Sequence, residues 1–218
     1  MKRILEPELM EDAEQAKAYA KADFSASEQW FVDHLVADYP SLSGLAVDFG
    51  CGPGNVVLRL ARAIPSLRIT AVDGSEPMIR LAEAAVQSQN LQDQIRLLQG
   101  RLPSLALPDH RFDLVSSKDL LHHLPNPDVL WQEGKRLAKP GAVVYVMDLF
   151  RPDSVADAKS LVQEVAGGAD PIVQEDFFHS LRAAFLPSEV EVQLEQAGLD
   201  LKVARVSSRH MLIHGTIC

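Results

Sequence analysis

Val47-Asp48-Phe49-Gly50-Cys51-Gly52-Pro53-Gly54-Asn55 reads as a buried strand, a tight glycine turn and the start of a helix. Glycine is needed where the backbone turns sharply or where a ligand packs directly against it. The first turn of the following helix offers unpaired N–H groups and a partial positive charge. The stretch therefore predicts a site for a polar small molecule that carries a nucleoside. Its Gly-x-Gly-x-Gly spacing departs from the dinucleotide fingerprint Gly-x-Gly-x-x-Gly, because residue 55 is Asn.

Further along the chain, several motifs follow in the order of a known family. They are Leu67–Asp73, Ile95–Arg101, Phe112–Val115, Leu121-His122-His123-Leu124 and Leu137-Ala138-Lys139-Pro140-Gly141. Together with the glycine turn, residues 44–149 resemble class I S-adenosylmethionine (SAM)-dependent methyltransferases. The resemblance implies that SAM is the cofactor and S-adenosyl-L-homocysteine the product. It also implies in-line transfer of the sulfonium methyl group to a small-molecule nucleophile.

The resemblance assigns cofactor contacts to the turns that follow the strands. Asp48 would help to hold the amino group of SAM, and Asp73 would bind the ribose hydroxyls. Arg101 stands where the family often has an acid that accepts from the adenine amino group, and arginine cannot accept a hydrogen bond. Either the backbone of Leu102 does this, or Arg101 points away. The predicted cofactor contacts are Tyr19, Asp48, Gly50, Cys51, Gly52, Gly54, Asp73, Gly74, Ser75, Met78, Gly100, Arg101, Leu102 and Lys118.

Three residues after the fourth strand are candidates for proton transfer: Asp119, His122 and His123. Histidine titrates near neutral pH, but a base is needed only for an acceptor that is protonated at working pH. Asp119 with Lys118 equally fits a surface ion pair, and Asp119 also fits a cap on the next helical turn. No metal site is expected, because no third ligand stands at matching spacing.

The alternation of strands and helices predicts an α/β fold, namely a Rossmann-like, doubly wound, seven-stranded and mostly parallel sheet with helices on both faces. The resemblance places the last strand antiparallel. Strands are expected at about 44–49, 67–73, 95–99, 112–117, 142–149, 199–206 and 209–217. Helices are expected at about 7–22, 27–38, 54–63, 75–89, 127–138, 176–182 and 187–196.

The expected organisation is effectively one domain with additions to its core. Residues 1–40 form a helical lid, 41–149 the SAM-binding core, 150–186 a helical cap insertion, and 187–218 complete the core. In the insertion, Phe178, His179 and Arg182 are candidates for the substrate wall, and Arg182 suits an anionic group. Helical spacing puts Phe178, Arg182 and Phe185 near one face, although core packing explains the phenylalanines equally well.

Composition narrows the acceptor and the compartment. The chain has 218 residues and a net charge of −9, whereas nucleic-acid binders carry basic patches that neutralise phosphates. We therefore expect a small-molecule acceptor and no nucleic acid. The chain contains no run of about 18 apolar residues, so we expect no membrane span. Its two cysteines fit a cytoplasmic protein without disulfides. A homodimer is left open.

Two alternative functions share this fold. One is a SAM-binding protein without transferase activity, such as a regulatory or partner subunit. The other is a NAD-dependent oxidoreductase, which shares the sheet and the ribose-binding acid. The glycine spacing, Asp48 and the later motifs favour the methyltransferase over the oxidoreductase.

Overall fold

The computed structural model describes residues 1–6 and 10–218 and is built around one seven-stranded sheet. The strands are β1 Gly44–Phe49, β2 Leu67–Asp73, β3 Ile95–Gln99, β4 Phe112–Lys118, β5 Ala138–Leu149, β6 Lys202–Arg205 and β7 His210–Thr216. They lie in the order β3-β2-β1-β4-β5-β7-β6. The first five pair in parallel, and β7 runs antiparallel to both of its neighbours. The predicted sheet is confirmed, including its antiparallel last strand.

Helices cover both faces of this sheet. They are α1 Ala13–Lys21, α2 Ser25–Asp38, α3 Asn55–Ala63, α4 Glu76–Ser88, α5 Asp128–Leu137, α6 Val155–Ala166, α7 Pro171–Ala183 and α8 Pro187–Ala197. A short 3₁₀ turn spans Leu121–His123. In the described part of the chain, no helix has the length and apolar character needed to cross a membrane.

Four predicted boundaries are wrong. The first helix begins at Ala13, where Asp12 caps it by accepting from the Glu14 and Gln15 N–H groups; Pro7, its predicted start, lies outside the described residues. The helix expected at 176–182 is the end of the longer α7, and α6 before it was not predicted. β5 already begins at Ala138, because Ala138 pairs with Phe112. β6 covers half of the span expected for it.

Alternate residues of the strands build two apolar layers. Val47 and Phe49 face the layer formed with α5 and α8, whereas Ala46 faces the layer formed with α2 and α3. This alternation follows from the two-residue period of a strand. Trp131 on α5 is 1% exposed, and its indole N–H donates to Gln193 Oε1 on α8 at 3.0 Å. Trp131 therefore fixes α5 against both the sheet and α8.

The insertion and the N-terminal residues pack together at the end of β5. A small apolar cluster joins α6 and α7 to this strand. The Ile4 N–H donates to the Arg182 carbonyl at 3.0 Å. The Arg3 guanidinium donates to the carbonyls of His122 and Leu124 at 3.0 and 3.1 Å. The first residues thereby connect the end of α7 to the 3₁₀ turn.

Replacing Trp131 with Ala should lower the free energy of unfolding by about 3–5 kcal/mol, because it removes a large buried side chain and leaves a cavity. Urea unfolding followed by circular dichroism would measure the change. Gln132→Ala, at an exposed position of the same helix, should change it by less than about 0.5 kcal/mol. A loss below about 1 kcal/mol for Trp131→Ala would show that α5 is not anchored as described.

Candidate functional site

A cavity opens at the carboxyl ends of β1, β2 and β4, where parallel sheets of this type bind ligands. Its empty volume is about 840 Å³, a figure that includes open solvent at its mouth. The predicted cofactor residues that line it are Tyr19, Gly50, Gly52, Asp73, Gly74, Ser75, Met78, Gly100, Arg101, Leu102 and Lys118. Asp119 and His123 line it as well.

The glycine turn has the backbone that its sequence predicts. Gly50 and Gly52 have φ angles of +71° and +52°, in the left-handed region that L-residues rarely adopt. A Cβ atom at Gly50 would lie 3.0 Å from Leu120 Cβ, whereas one at Gly52 would meet no atom within 4 Å. The turn therefore packs tightly against Leu120 and leaves open space beside Gly52.

Asp73 connects the end of β2 to this turn. Its Oδ2 accepts from the Gly52 N–H and its Oδ1 from the Ser75 N–H, both at 2.8 Å. Burial raises the pKa of Asp73, although these N–H groups stabilise the charged form. Each carboxylate oxygen can accept a further hydrogen bond, so Asp73 offers acceptors to the cavity that it lines.

Asp48, Cys51 and Gly54 do not line the cavity. Asp48 is 2% exposed and accepts from the Ser116 hydroxyl at 2.6 Å. Burial raises the pKa of Asp48 to about 7. Burial also raises the pKa of the Cys51 thiol, which makes it a poor nucleophile.

The N-terminal side of the chain covers the cavity near the end of β2. Ser75 caps α4, as predicted, by accepting from the Met78 N–H, and its hydroxyl donates to the Met10 carbonyl at 2.6 Å. Arg101 forms an exposed ion pair with Glu11 at 3.2 Å. Of the two predicted alternatives for Arg101, the structure thus favours the one in which the guanidinium points away, here toward the N-terminal segment.

Beyond β4, Lys118 and Asp119 form a close ion pair whose side chains are 6% and 19% exposed. The pair is therefore largely buried, unlike the surface ion pair that was one of the predicted alternatives. Burial opposes ionisation of Asp119, but Lys118 and His210 lower the pKa of Asp119 to about 2. Burial lowers the pKa of His210 to about 4.

Asp148, at the end of β5, performs the capping role that the sequence offered to Asp119. Its Oδ2 accepts from the Leu121 N–H at 2.6 Å, and its Oδ1 lies 2.6 Å from His122 Nδ1. His122 is 2% exposed and does not line the cavity. Burial disfavours its charged form, but Asp148 and the nearby carboxylates of Glu6 and Asp119 raise the pKa of His122 to about 9.

Glu6 reaches the two histidines from the N-terminal segment. Its Oε1 lies 3.2 Å from His123 Nδ1 and 3.5 Å from His122 Nε2, and burial raises the pKa of Glu6. Asp148 was expected at this edge of the sheet, because it stands at a predicted strand end as Asp48 and Asp73 do, although its contact with His122 was not predicted. Glu6 was not predicted at all, because no local pattern marks it.

The predicted substrate residues Phe178, His179 and Arg182 do not line this cavity. The Arg182 guanidinium lies 5.3 Å from the Phe178 ring centroid, and His179 faces Glu175 at 3.8 Å with 44% of its side chain exposed. Because α7 ends at Ala183, Phe185 does not share its helical face as predicted. It packs instead under the Arg3 guanidinium at 3.7 Å.

Comparison with known proteins shows which family the chain is similar to. The model of a methyltransferase domain matches residues 47–146. An uncharacterized methyltransferase of Mycobacterium bovis is 31% identical over 155 residues, which are 71% of this chain and 76% of that protein. A demethylmenaquinone methyltransferase of Lactobacillus johnsonii is 32% identical over 108 residues, 49% of this chain and 44% of that protein. The crystal structure of a SAM-dependent methyltransferase from Aquifex aeolicus superposes with a TM-score of 0.69 at 21% identity, covering 94% and 98% of the two chains.

The chain belongs to the methyltransferase family. This membership argues against the nicotinamide-dependent oxidoreductase. The chain spans less than half of the length of the first curated relatives that it matches.

The raised pKa of Asp48 predicts that the free energy of unfolding depends on pH. The unfolded carboxyl ionises near pH 4 and the folded one near pH 7, so the folded state loses stability between these values, by roughly 4 kcal/mol at most. Asp48→Asn should therefore gain stability relative to the parent chain as the pH rises from 4 to 8, in urea titrations. Asp93→Asn, at an exposed position, should show no such trend, and a pH-independent difference for Asp48→Asn would mean that Asp48 is ionised when folded.

Proposed function

We propose that this chain transfers the sulfonium methyl group of SAM to a small-molecule acceptor. The observation that carries the proposal is one cavity that reaches across the carboxyl ends of β2, β1 and β4. Asp73 and the glycine turn lie toward β2, while Lys118, Asp119 and His123 follow β4. Since β1 separates β2 from β4, and neighbouring strands lie about 4.8 Å apart, the cavity has room for two groups side by side.

The β2 side of the cavity fits the cofactor. The remaining lone pairs of the Asp73 carboxylate suit a ribose diol, and the backbone beside Gly52 is open to a close ligand. Gly100 to Leu102 border the same side and offer backbone groups to a base. When bound, SAM supplies an electrophilic methyl group, so the protein chiefly positions the reactants and excludes water. Asp48, Cys51 and Gly54 act through the shape of the turn.

The β4 side fits the acceptor. Of the three candidates for proton transfer, Asp119 and His123 line the cavity and His122 does not. Lys118 helps to lower the pKa of Asp119 to about 2, which makes Asp119 a weak base. We therefore assign the acceptor contact to His123, whose Nδ1 faces Glu6. His122, held by Asp148, acts as a positioning residue that supports the 3₁₀ turn.

A small-molecule acceptor is supported by relatives named demethylmenaquinone methyltransferase. A net charge of −9 disfavours a nucleic acid as the acceptor. A lid role for residues 1–40 is supported by Met10 and Tyr19, which line the cavity. No residue of 150–186 is among the lining residues, so the cap stays a prediction from sequence. The cytoplasmic location and the homodimer stay predictions from sequence.

Asp73→Ala should weaken S-adenosylhomocysteine binding by roughly 10- to 100-fold, because hydrogen bonds to a charged group contribute about 1.5–3 kcal/mol. Isothermal titration calorimetry would measure the dissociation constants. Asp73→Asn keeps one carbonyl oxygen and should lose less than Asp73→Ala.

Asp93→Ala, at an exposed position, is the matched control and should bind like the parent chain. Circular dichroism of each variant would separate a lost contact from a lost fold. Unchanged affinity in a folded Asp73→Ala would contradict the ribose assignment. Tight binding without methyl transfer to any small molecule tested would favour the SAM-binding protein without transferase activity.

A further inference from the structure

Glu6, His122 and His123 bring three potential metal-ligand atoms together at the acceptor side of the cavity. All three atoms lie within 4.8 Å of one another. Glu6 Oε1 is 3.2 Å from His123 Nδ1 and 3.5 Å from His122 Nε2. Two ligands of a tetrahedral ion, each bound at about 2.0–2.1 Å, lie about 3.3–3.4 Å apart. The two contacts to Glu6 therefore already have the spacing of neighbouring metal ligands.

The shared carboxylate atom is buried and not satisfied by an aligned hydrogen bond. The Glu6 side chain is 8% exposed. Among residues 1–6 and 10–218, no donor is aligned with Glu6 Oε1, while Oε2 accepts from the Ser180 hydroxyl at 3.4 Å. A buried carboxylate atom without such a bond is costly, and a bound cation would remove this cost.

Asp148 orients His122 as a metal ligand is usually oriented. His122 Nδ1 faces Asp148 Oδ1 at 2.6 Å, so in the neutral imidazole the Nδ1–H donates to this carboxylate. The lone pair then lies on Nε2, which faces Glu6. A carboxylate behind a ligating histidine is the common arrangement in metal sites, where it fixes both the tautomer and the ring orientation.

We propose that Glu6, His122 and His123 bind a divalent transition-metal ion such as Zn²⁺. Two histidines and one carboxylate suit such an ion. Three protein ligands leave a coordination position open, and His123 lines the cavity, so this position is accessible to a ligand there. The next step rests on the proposed function. The site favours an acceptor with a hydroxyl or phenolic oxygen, which would bind the ion directly. With the ion bound, His123 acts as a ligand rather than as a proton acceptor.

Metal titration of the full chain tests this proposal. The protein, carrying no polyhistidine tag, would be stripped with a chelator and titrated with ZnCl₂ by calorimetry at pH 8, where the ion must displace the proton of His122. A parallel CoCl₂ titration would follow the visible ligand-field bands of bound Co²⁺. We expect one equivalent to bind, and binding to weaken by at least roughly 10-fold in Glu6→Gln and in His123→Asn.

Glu175→Gln is the matched control, because Glu175 lies 3.8 Å from His179 in an exposed pair without a second histidine. It should bind metal like the parent chain. Absence of stoichiometric binding, or binding that Glu6→Gln leaves unchanged, would overturn the proposal and leave a buried ion pair. S-adenosylhomocysteine binding, measured on the same metal-free samples, reports separately on the proposed function and confirms that each variant is folded.

Discussion

Carboxyl groups at the carboxyl ends of three parallel strands connect these strands to a neighbouring strand or to the turns that shape the cavity. A buried carboxylate is tolerated only when donors surround it, and each of these has found them in a neighbouring turn or strand. Asp48 accepts from the Ser116 hydroxyl, Asp73 from two backbone N–H groups, and Asp148 from the Leu121 N–H and His122. Because the strands are parallel, these anchors meet at one edge of the sheet, and the loops above that edge inherit their geometry.

The sequence predicted the strands of this frame well and its outer parts poorly. Leu67–Asp73 is an apolar run that ends in an acid, so its period and its boundary are both visible in the sequence. In α6 only Ala158 and Val162 are buried, which is too narrow a stripe to show helical periodicity. β6 is largely exposed along its short length, so its boundaries depend on pairing with β7 rather than on local pattern.

In the candidate site, too, some contacts could be predicted from the sequence and others could not. Asp73 and Gly52 follow two adjacent parallel strands and belong to two motifs that the sequence shows, so their proximity could be predicted. Glu6 meets His123 only because residues 1–6 follow the end of α7, and no local pattern encodes such a contact. The cap on the 3₁₀ turn shows the same limit, since Asp119 is adjacent in sequence but Asp148 is adjacent in space. His179 was predicted as a substrate residue from its place in the insertion, but 44% of its side chain is exposed and it does not line the cavity.

The two sides of the cavity differ in the kind of group that they present. Near β2, the Asp73 carboxylate is matched by backbone N–H donors, which neither titrate nor move with pH over the working range. Near β4, the charges belong to side chains: Lys118 with Asp119, and Glu6 with the two histidines. A fixed dipolar environment suits a cofactor whose binding should be constant, whereas titratable or metal-binding groups are useful where an acceptor must lose a proton. The N-terminal segment contacts both sides, through Met10 at Ser75 and through Glu6 at His123, so a lid formed by this segment, as proposed, would act on both sides together.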